Sequence, residues 1–356
     1  MCYRTITFNF DLDAQPPATI DADPSLDSIG PAKRALNSNP NSPEAHFKLA
    51  EAYADEDLYK DSLEHYRHAI ELRPDYRGAY RGLASAYHEL EQKEDEIATY
   101  RLAVQALPND VKLLKELGRS LNHAERYLEA ADVYRRVVLI KPDDAGAYFD
   151  LGWSLFNAGR YRDSIPPFME SIRLRPKAAQ AYHNLGSAYM NLRQDDDAVT
   201  AFVQALTVEP GYKEAYKVRR EIGSVYLGTG RITEAIDELK RSIELNPRYG
   251  AAHWELGLAY HDLSRYSEAV ESLSRAARLE PRTPQFTVLL VIPTCILGAL
   301  QTLKESFASS LTWILRTRAV TSVWRQRYTR KRDLKMQLLF CAPRSACPIT
   351  QTRTLQ

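Results

Sequence analysis

Cysteine is scarce in this chain. Four occur in 356 residues, Cys2, Cys295, Cys341 and Cys347, and none lies between residues 43 and 283. No two stand in a C-x-x-C spacing, which argues against a disulfide framework and against a zinc site of the usual ligand spacing. A reducing, cytoplasmic setting is the default expectation. Long apolar runs are lacking too. The stretch FTVLLVIPTCILGAL at 286–300 contains Pro293 and has 15 residues. As a helix it would reach about 22 Å, short of the roughly 30 Å hydrocarbon core. The basic residues beyond it would keep the C-terminus cytoplasmic, so everything before it would have to cross a membrane without a signal. The start, MCYRTITFNFDLDAQPP, has no basic stretch followed by an apolar core, and no secretory signal is expected.

The net charge of +1 hides three different regions. Residues 1–42 carry three basic and five acidic side chains, residues 43–283 carry 33 and 39, and residues 284–356 carry eleven and two. An acidic middle is therefore joined to a strongly basic end.

Catalytic chemistry is hard to find. All eight histidines lie within 43–283. His65 and His68 stand at i, i+3, but no third ligand is near in sequence, so a solvated helix surface is the expectation. Asp195, Asp196 and Asp197 precede a helical pattern, where negative charge caps a helix N-terminus. GTGR at 228–231 lacks the Lys-Ser/Thr of a phosphate loop; Gly230 and Gly159 fill a turn slot that needs a left-handed residue. Pro166 and Pro167 are expected early in a helix, where several amides lack partners. There is no nucleophile–base pair, carboxylate pair or cofactor fingerprint. No enzyme activity, metal or cofactor is expected within 43–283.

What is abundant is repetition. AYFDLGWSLFNAGR (147–160) returns as AYHNLGSAYMNLRQ (181–194). Aligned on Pro74, Pro108, Pro142, Pro176, Pro210, Pro247 and Pro281, five of six gaps are 34 residues and the one after Pro210 is 37. A small residue recurs at Ala84, Gly118, Gly152, Gly186, Gly223 and Gly257, and a second small slot at Ser62, Ala130, Ser164, Ala198, Ala235 and Ala269. Between them Leu114, Leu117 and Leu121, or Tyr182, Leu185 and Tyr189, fall at i, i+3, i+7, a helical period. A second helix follows in each unit and is stopped by its proline. Each unit is thus a helical hairpin whose apolar face is buried only by stacking on neighbours.

These residues resemble the tetratricopeptide repeat (TPR) family, whose period is about 34 residues. Seven units fit, starting at Pro43, Arg77, Val111, Ala145, Ala179, Tyr216 and Gly250 and covering 43–283. The resemblance implies an all-α, right-handed α-solenoid. A half-repeat at 28–40 precedes it, after a mostly disordered leader within 1–42. Leu290 and Phe307 fit a degenerate eighth, capping unit in 284–315, with membrane association through 286–303 as the alternative. Residues 316–356 are expected to be a basic, disordered tail able to meet nucleic acid or anionic lipid by charge alone. The many tyrosines fall in repeat slots and are read as packing.

By the resemblance, first helices line a concave groove, and the second, fifth, ninth, twelfth and thirteenth positions of a unit face a partner. That selects Arg81 in the second unit, Lys112, Lys115 and Arg119 in the third, and Phe149, Trp153 and Phe156 in the fourth. It adds His183 and Asn191 in the fifth, Lys217 and Arg220 in the sixth, and Trp254 in the seventh. If the three extra residues lengthen the sixth unit's helix, Lys213 joins Lys217 and Arg220; Lys217 is also placed to pair with Glu221 at i+4. An aromatic stripe with inward cations suits an acidic segment carrying an apolar anchor. The carboxylate clamp of chaperone-binding members is not supported, because Arg119 replaces its Asn. The asparagine ladder of sugar-transferring (O-GlcNAc transferase-like) members is reduced to Asn184, the same slot holding Lys48, Gly82, Glu116, Asp150, Glu221 and Glu255. The expected function is a protein-binding scaffold or adaptor. A membrane-attached assembly factor is the alternative and a fragment of a sugar-transferring enzyme a distant one. Oligomeric state is not encoded.

Overall fold

The computed structural model describes residues 28–281. The expectations placed on 1–27, 284–315, 286–303 and 316–356 lie outside the described residues. The chain divides into two compact units, the first running to Arg175 and the second from Pro176. All regular structure among the described residues is α-helical.

The first unit holds α1 (Ile29–Ser38), α2 (Pro43–Asp55), α3 (Tyr59–Leu72), α4 (Arg77–Glu89), α5 (Lys93–Ala106), α6 (Val111–His123), α7 (Tyr127–Ile140), α8 (Ala145–Asn157) and α9 (Tyr161–Leu174). The second holds α10 (Ala179–Asn191), α11 (Asp195–Val208), α12 (Ala215–Thr229), α13 (Ile232–Leu245), α14 (Gly250–Asp262) and α15 (Tyr266–Leu279). From α2 onward the helices pair as hairpins, and within each unit successive hairpins stack, a solenoid order in which each hairpin packs mainly on its neighbours. α1 packs against α2.

The recurring prolines explain the spacing. Each of the seven stands two residues past the end of a second helix, as Pro142 does after α7. Proline disfavours helical geometry in the residue before it, so the helix has already stopped. The hairpin turns carry a residue with positive φ: Gly159 (74°) and Gly230 (80°), and elsewhere Asp57, Glu91, Glu125, Arg193 and Ser264. Glycine adopts this region freely; the other five do so at some conformational cost.

The small slot is a contact between helix backbone and ring. A Cβ on Gly152 would lie 2.7 Å from the Phe168 ring, and one on Gly186 would lie 2.5 Å from Phe202. Both rings are fully buried because the facing helix offers bare backbone there. Tyr134 likewise drops onto Gly118 and is fully buried. Burying each such ring or a leucine contributes roughly 1.5–3 kcal/mol. In the first unit the core runs through Tyr80, Ile97, Leu113, Leu117, Tyr134, Val137 and Leu151. In the second it forms clusters around Phe202 with Ile222 and around Leu239 with Leu256.

Three local expectations are corrected. Pro166 and Pro167 are the sixth and seventh residues of α9, in its second turn, so they remove donors that would have bonded the carbonyls of Arg162 and Asp163. Asp195, Asp196 and Asp197 occupy the first turn of α11, and no side chain caps it; their contribution is through the helix dipole. The sixth unit's first helix is longer than the others, 15 residues against 13, but it does not take in Lys213. Residues 213–214 form a turn, α12 begins at Ala215, and Lys213 stands outside it.

Candidate functional site

In the first unit, side-chain caps at Asp110 and Asp144 fix where α6 and α8 begin. The Asp110 carboxylate accepts from the amides of Lys112 (3.0 Å) and Leu113 (3.2 Å), and Asp144 accepts from Ala147 (3.0 Å). Asp144 also receives Lys115 Nζ at 3.1 Å, which joins the two first helices, as does the Ser154 hydroxyl donating to Asn122 (3.0 Å). Burial works to raise the Asp144 carboxyl, but the Ala147 amide and Lys115 hold it below its ordinary range. Arg119 pairs with Glu116 at 2.9 Å along its own helix. Arg81 and Lys112 are exposed and form no ion pair with a described residue.

Phe149, Trp153 and Phe156 are all half-buried, and each meets an aromatic ring of a second helix. Phe149 lies 5.9 Å from Phe168, Phe156 is edge-on to Tyr161 at 5.2 Å, and Trp153 is edge-on to Tyr127 at 5.9 Å. The stripe therefore also takes part in the packing. One side of each ring supports the hairpin stack and the rest remains accessible.

The second unit is built differently. His183 is buried, with Nε2 2.8 Å from Glu221 and Nδ1 3.2 Å from the Tyr212 hydroxyl. Arg220 lies 2.9 Å from Glu255 and 3.3 Å from Glu221. Burial opposes the Arg220 charge, yet Glu255, Tyr249 and Glu221 hold its pKa above the ordinary value. Lys217 bonds Glu214, not Glu221, so the expected i+4 pair is replaced by an i−3 pair. The hydrogen bond to Glu214 raises the Lys217 pKa. Asn191 donates to the Ser187 carbonyl at 2.8 Å, and Trp254 is half-buried. The inward cations of this unit are thus neutralised within it, which corrects the expectation of a basic rung there.

Several residues in or beside these networks are not among the groove residues selected from the sequence: Asp144, Asp150, Glu221, Glu255 and Tyr212. A signal for most of them exists. The slot that would carry an asparagine ladder instead carries acids at Glu116, Asp150, Glu221 and Glu255; Glu116 and Glu221 directly follow the fifth-position cations Lys115 and Arg220, and Glu116 stands about one helical turn before Arg119.

The histidines form a further cluster. His46 Nδ1 lies 3.2 Å from His65 Nδ1, and its ring is 5.2 Å from that of His68. A third histidine does stand near, but His46 Nε2 faces the Pro40 carbonyl (3.0 Å) and His68 faces Glu71 (3.1 Å). Among the described residues no group of three such side chains is arranged to hold a metal ion, and no helix is long and apolar enough to cross a membrane.

The tetratricopeptide repeat family model matches residues 29–76, 48–111, 149–214 and 220–284, together more than half of the chain. The chain belongs to the tetratricopeptide repeat family. The chain is similar to several solved structures. The C-terminal part of a TPR repeat-containing protein from Cytophaga hutchinsonii superposes with a TM-score of 0.55 at 16% identity, over 64% of this chain and 93% of that one. YrrB, described as a TPR protein with an unusual peptide-binding site, gives 0.46 at 22% identity over 53% and 97%. Yeast Tom70 gives 0.47 at 16% identity over 81% and 61%. No curated protein matches the chain in sequence.

Proposed function

We propose that the chain is a scaffold or adaptor that binds a partner protein on the first-helix face of its first unit. The observation that carries this is the half-buried Trp153 indole, flanked along α8 by Phe149 and Phe156, beside the cations of α6. Aromatic side chains in such a setting are the usual anchors of protein interfaces. The partner segment is acidic with an apolar anchor. Support for the acidic character comes from Arg81 and Lys112, which are exposed and hold no described carboxylate, and from Arg119, exposed although paired with Glu116; Lys115, Lys217 and Arg220 are less exposed and engaged by carboxylates of the same unit. Nucleic acid or anionic lipid would be met through the basic residues 316–356 alone.

The test compares Trp153→Ala with Leu151→Ala in the full chain. Trp153→Ala is expected to stay folded and to weaken binding of a synthetic peptide of Glu and Ser with one central Phe by about 2 kcal/mol. Leu151, 5% exposed in the core, is expected to destabilise the fold by about 2–5 kcal/mol when truncated. Equal loss of thermal stability in the two variants would assign Trp153 to packing and remove the anchor.

A further inference from the structure

On the first-helix face of the first unit one half-buried carboxylate is left without a described partner. Asp150 lies on α8 between Phe149 and Leu151 and is half-buried. Its carboxylate has no ion pair and no hydrogen bond with a described residue. The charged groups around it are Lys115, Glu116 and Arg119 from α6, Tyr134 from α7, and Asp144 at the start of α8. Lys115 is engaged by Asp144 at 3.1 Å and Arg119 by Glu116 at 2.9 Å. The Tyr134 hydroxyl, in a fully buried side chain, has no acceptor. Burial pushes the Asp150 carboxyl up to about 6; Lys115 and Arg119 pull it down and Asp144 pushes it up.

A half-buried carboxylate without a partner can be relieved by a cation or by a proton. A cationic segment would meet the exposed Lys112 and Arg119 on the neighbouring helix. An acidic segment is drawn by those same two side chains; of the carboxylates it would meet, Glu116 and Asp144 are each paired with a cation and Asp150 is not. We infer that an acidic segment docks on the first-helix face of the first unit with uptake of a proton by Asp150, so that binding tightens on mild acidification. This rests on the acidic-segment reading proposed above and adds its regulation.

The sign follows from reciprocity. Carboxylates of the bound segment raise the proton affinity of Asp150, so the proton must raise the affinity for the segment by the same factor. Affinity is lowest where Asp150 stays ionised in both states. It rises as pH falls through the titration of the bound form. It levels off below about 6, where free Asp150 is already protonated. Glu side chains of the segment stay ionised until pH nears about 4.

The experiment uses the full chain and a labelled synthetic peptide of Glu and Ser with one central Phe, alongside the same peptide with Lys for Glu. Dissociation constants are measured at pH about 7.5 and about 5.5 at fixed ionic strength, for the wild type and for Asp150→Asn. If the bound segment raises the proton affinity of Asp150 about tenfold, the protonated protein binds the segment about tenfold more tightly than the ionised one. The expected result is a Glu peptide bound about three- to tenfold tighter at the lower pH. Asp150→Asn, nearly isosteric, is expected to hold that tighter affinity at both values. Calorimetry in two buffers of different ionisation enthalpy should show proton uptake for the wild type alone. A wild type indifferent to pH, a variant that keeps the pH dependence, or tighter binding of the Lys peptide overturns the inference while leaving the binding face standing. No binding of the Glu peptide by either protein at either pH overturns the acidic-segment reading itself, and the inference with it.

Discussion

The two units carry similar residue types on their first helices and resolve them differently. In the second unit the acids of the sixth repeat position are glutamates. Glu255 reaches Arg220 and Glu221 reaches both Arg220 and His183, so every inward charge named there has a partner. In the first unit the corresponding residue of α8 is Asp150, one methylene shorter, and the nearest lysine is already held by Asp144. The result is a set of mutual ion pairs in one unit, although the buried Arg220 Nε has no acceptor there, and in the other an orphan carboxylate beside exposed cations and a half-buried indole. Charges already paired with one another leave little for a partner. The unit that does not is the better candidate for recognition.

The contrast can be broken most severely at Arg220. Replacing it by Ala removes the guanidinium that lies 2.9 Å from Glu255, itself 7% exposed. Removing one member of a buried ion pair costs about 3–5 kcal/mol. Lys115→Ala in the first unit should cost less, because Asp144 retains the Ala147 amide as a donor. Thermal and urea unfolding followed by circular dichroism compares the two; equal losses would show that the second unit's network is no more closed than the first unit's.

A smaller effect of opposite sign is expected at Asp150. Its folded pKa of about 6 lies above the ordinary carboxylate value, so the native state binds the proton more tightly than the unfolded chain. Wild-type stability should therefore rise as pH falls from about 6 toward about 4 and be lowest at neutral pH. Asp150→Asn should raise stability at neutral pH by about 1–3 kcal/mol, an upper range since a tenfold change in proton affinity corresponds to about 1.4 kcal/mol and the site is only half-buried. The gain should vanish near pH 4. A variant no more stable than the wild type at neutral pH would mean that water already solvates the carboxylate.

The repeat order was legible because it is written in residues that have few substitutes. Prolines two residues past each second helix, and glycine where Phe168 or Phe202 lies on bare backbone, mark the period directly. The left-handed turns were legible at Gly159 and Gly230 but not at Asp57, Glu91, Glu125, Arg193 and Ser264, where the hairpin imposes the conformation on residues that do not advertise it. The α9 prolines misled for the same reason, since packing on both sides keeps a helix through two missing donors. Charge pairing was the least legible. Lys217 could reach Glu214 or Glu221 by spacing alone, and which one it takes depends on His183 and Arg220, the latter one residue before Glu221 and the former 38 residues away, already occupying Glu221. Such choices belong to side-chain length and to neighbours distant in sequence.

The smallest effect concerns Arg81 and Lys112, two exposed cations on the first helices of the first unit that hold no described carboxylate. Replacing both by Ser should leave stability within about 0.5 kcal/mol, because neither contributes an ion pair or a buried contact. Their expected role is to draw an acidic segment toward the face, which acts on the association rate and is screened by salt. The double variant should therefore bind the Glu peptide a few-fold more slowly at low ionic strength, with the dissociation rate unchanged, and the difference should fade as the Debye length shrinks from about 10 Å at 0.1 M to about 3 Å at 1 M. Applied to the second unit, the same treatment at Lys217 should change association less, since Glu214 already neutralises it. Stopped-flow association at several salt concentrations separates the cases. If the first-unit variant slows dissociation or hastens it, these side chains touch the bound segment rather than steer it. If the Lys217 variant slows association more than the double variant does, the exposed charges of the first unit are not what the segment approaches.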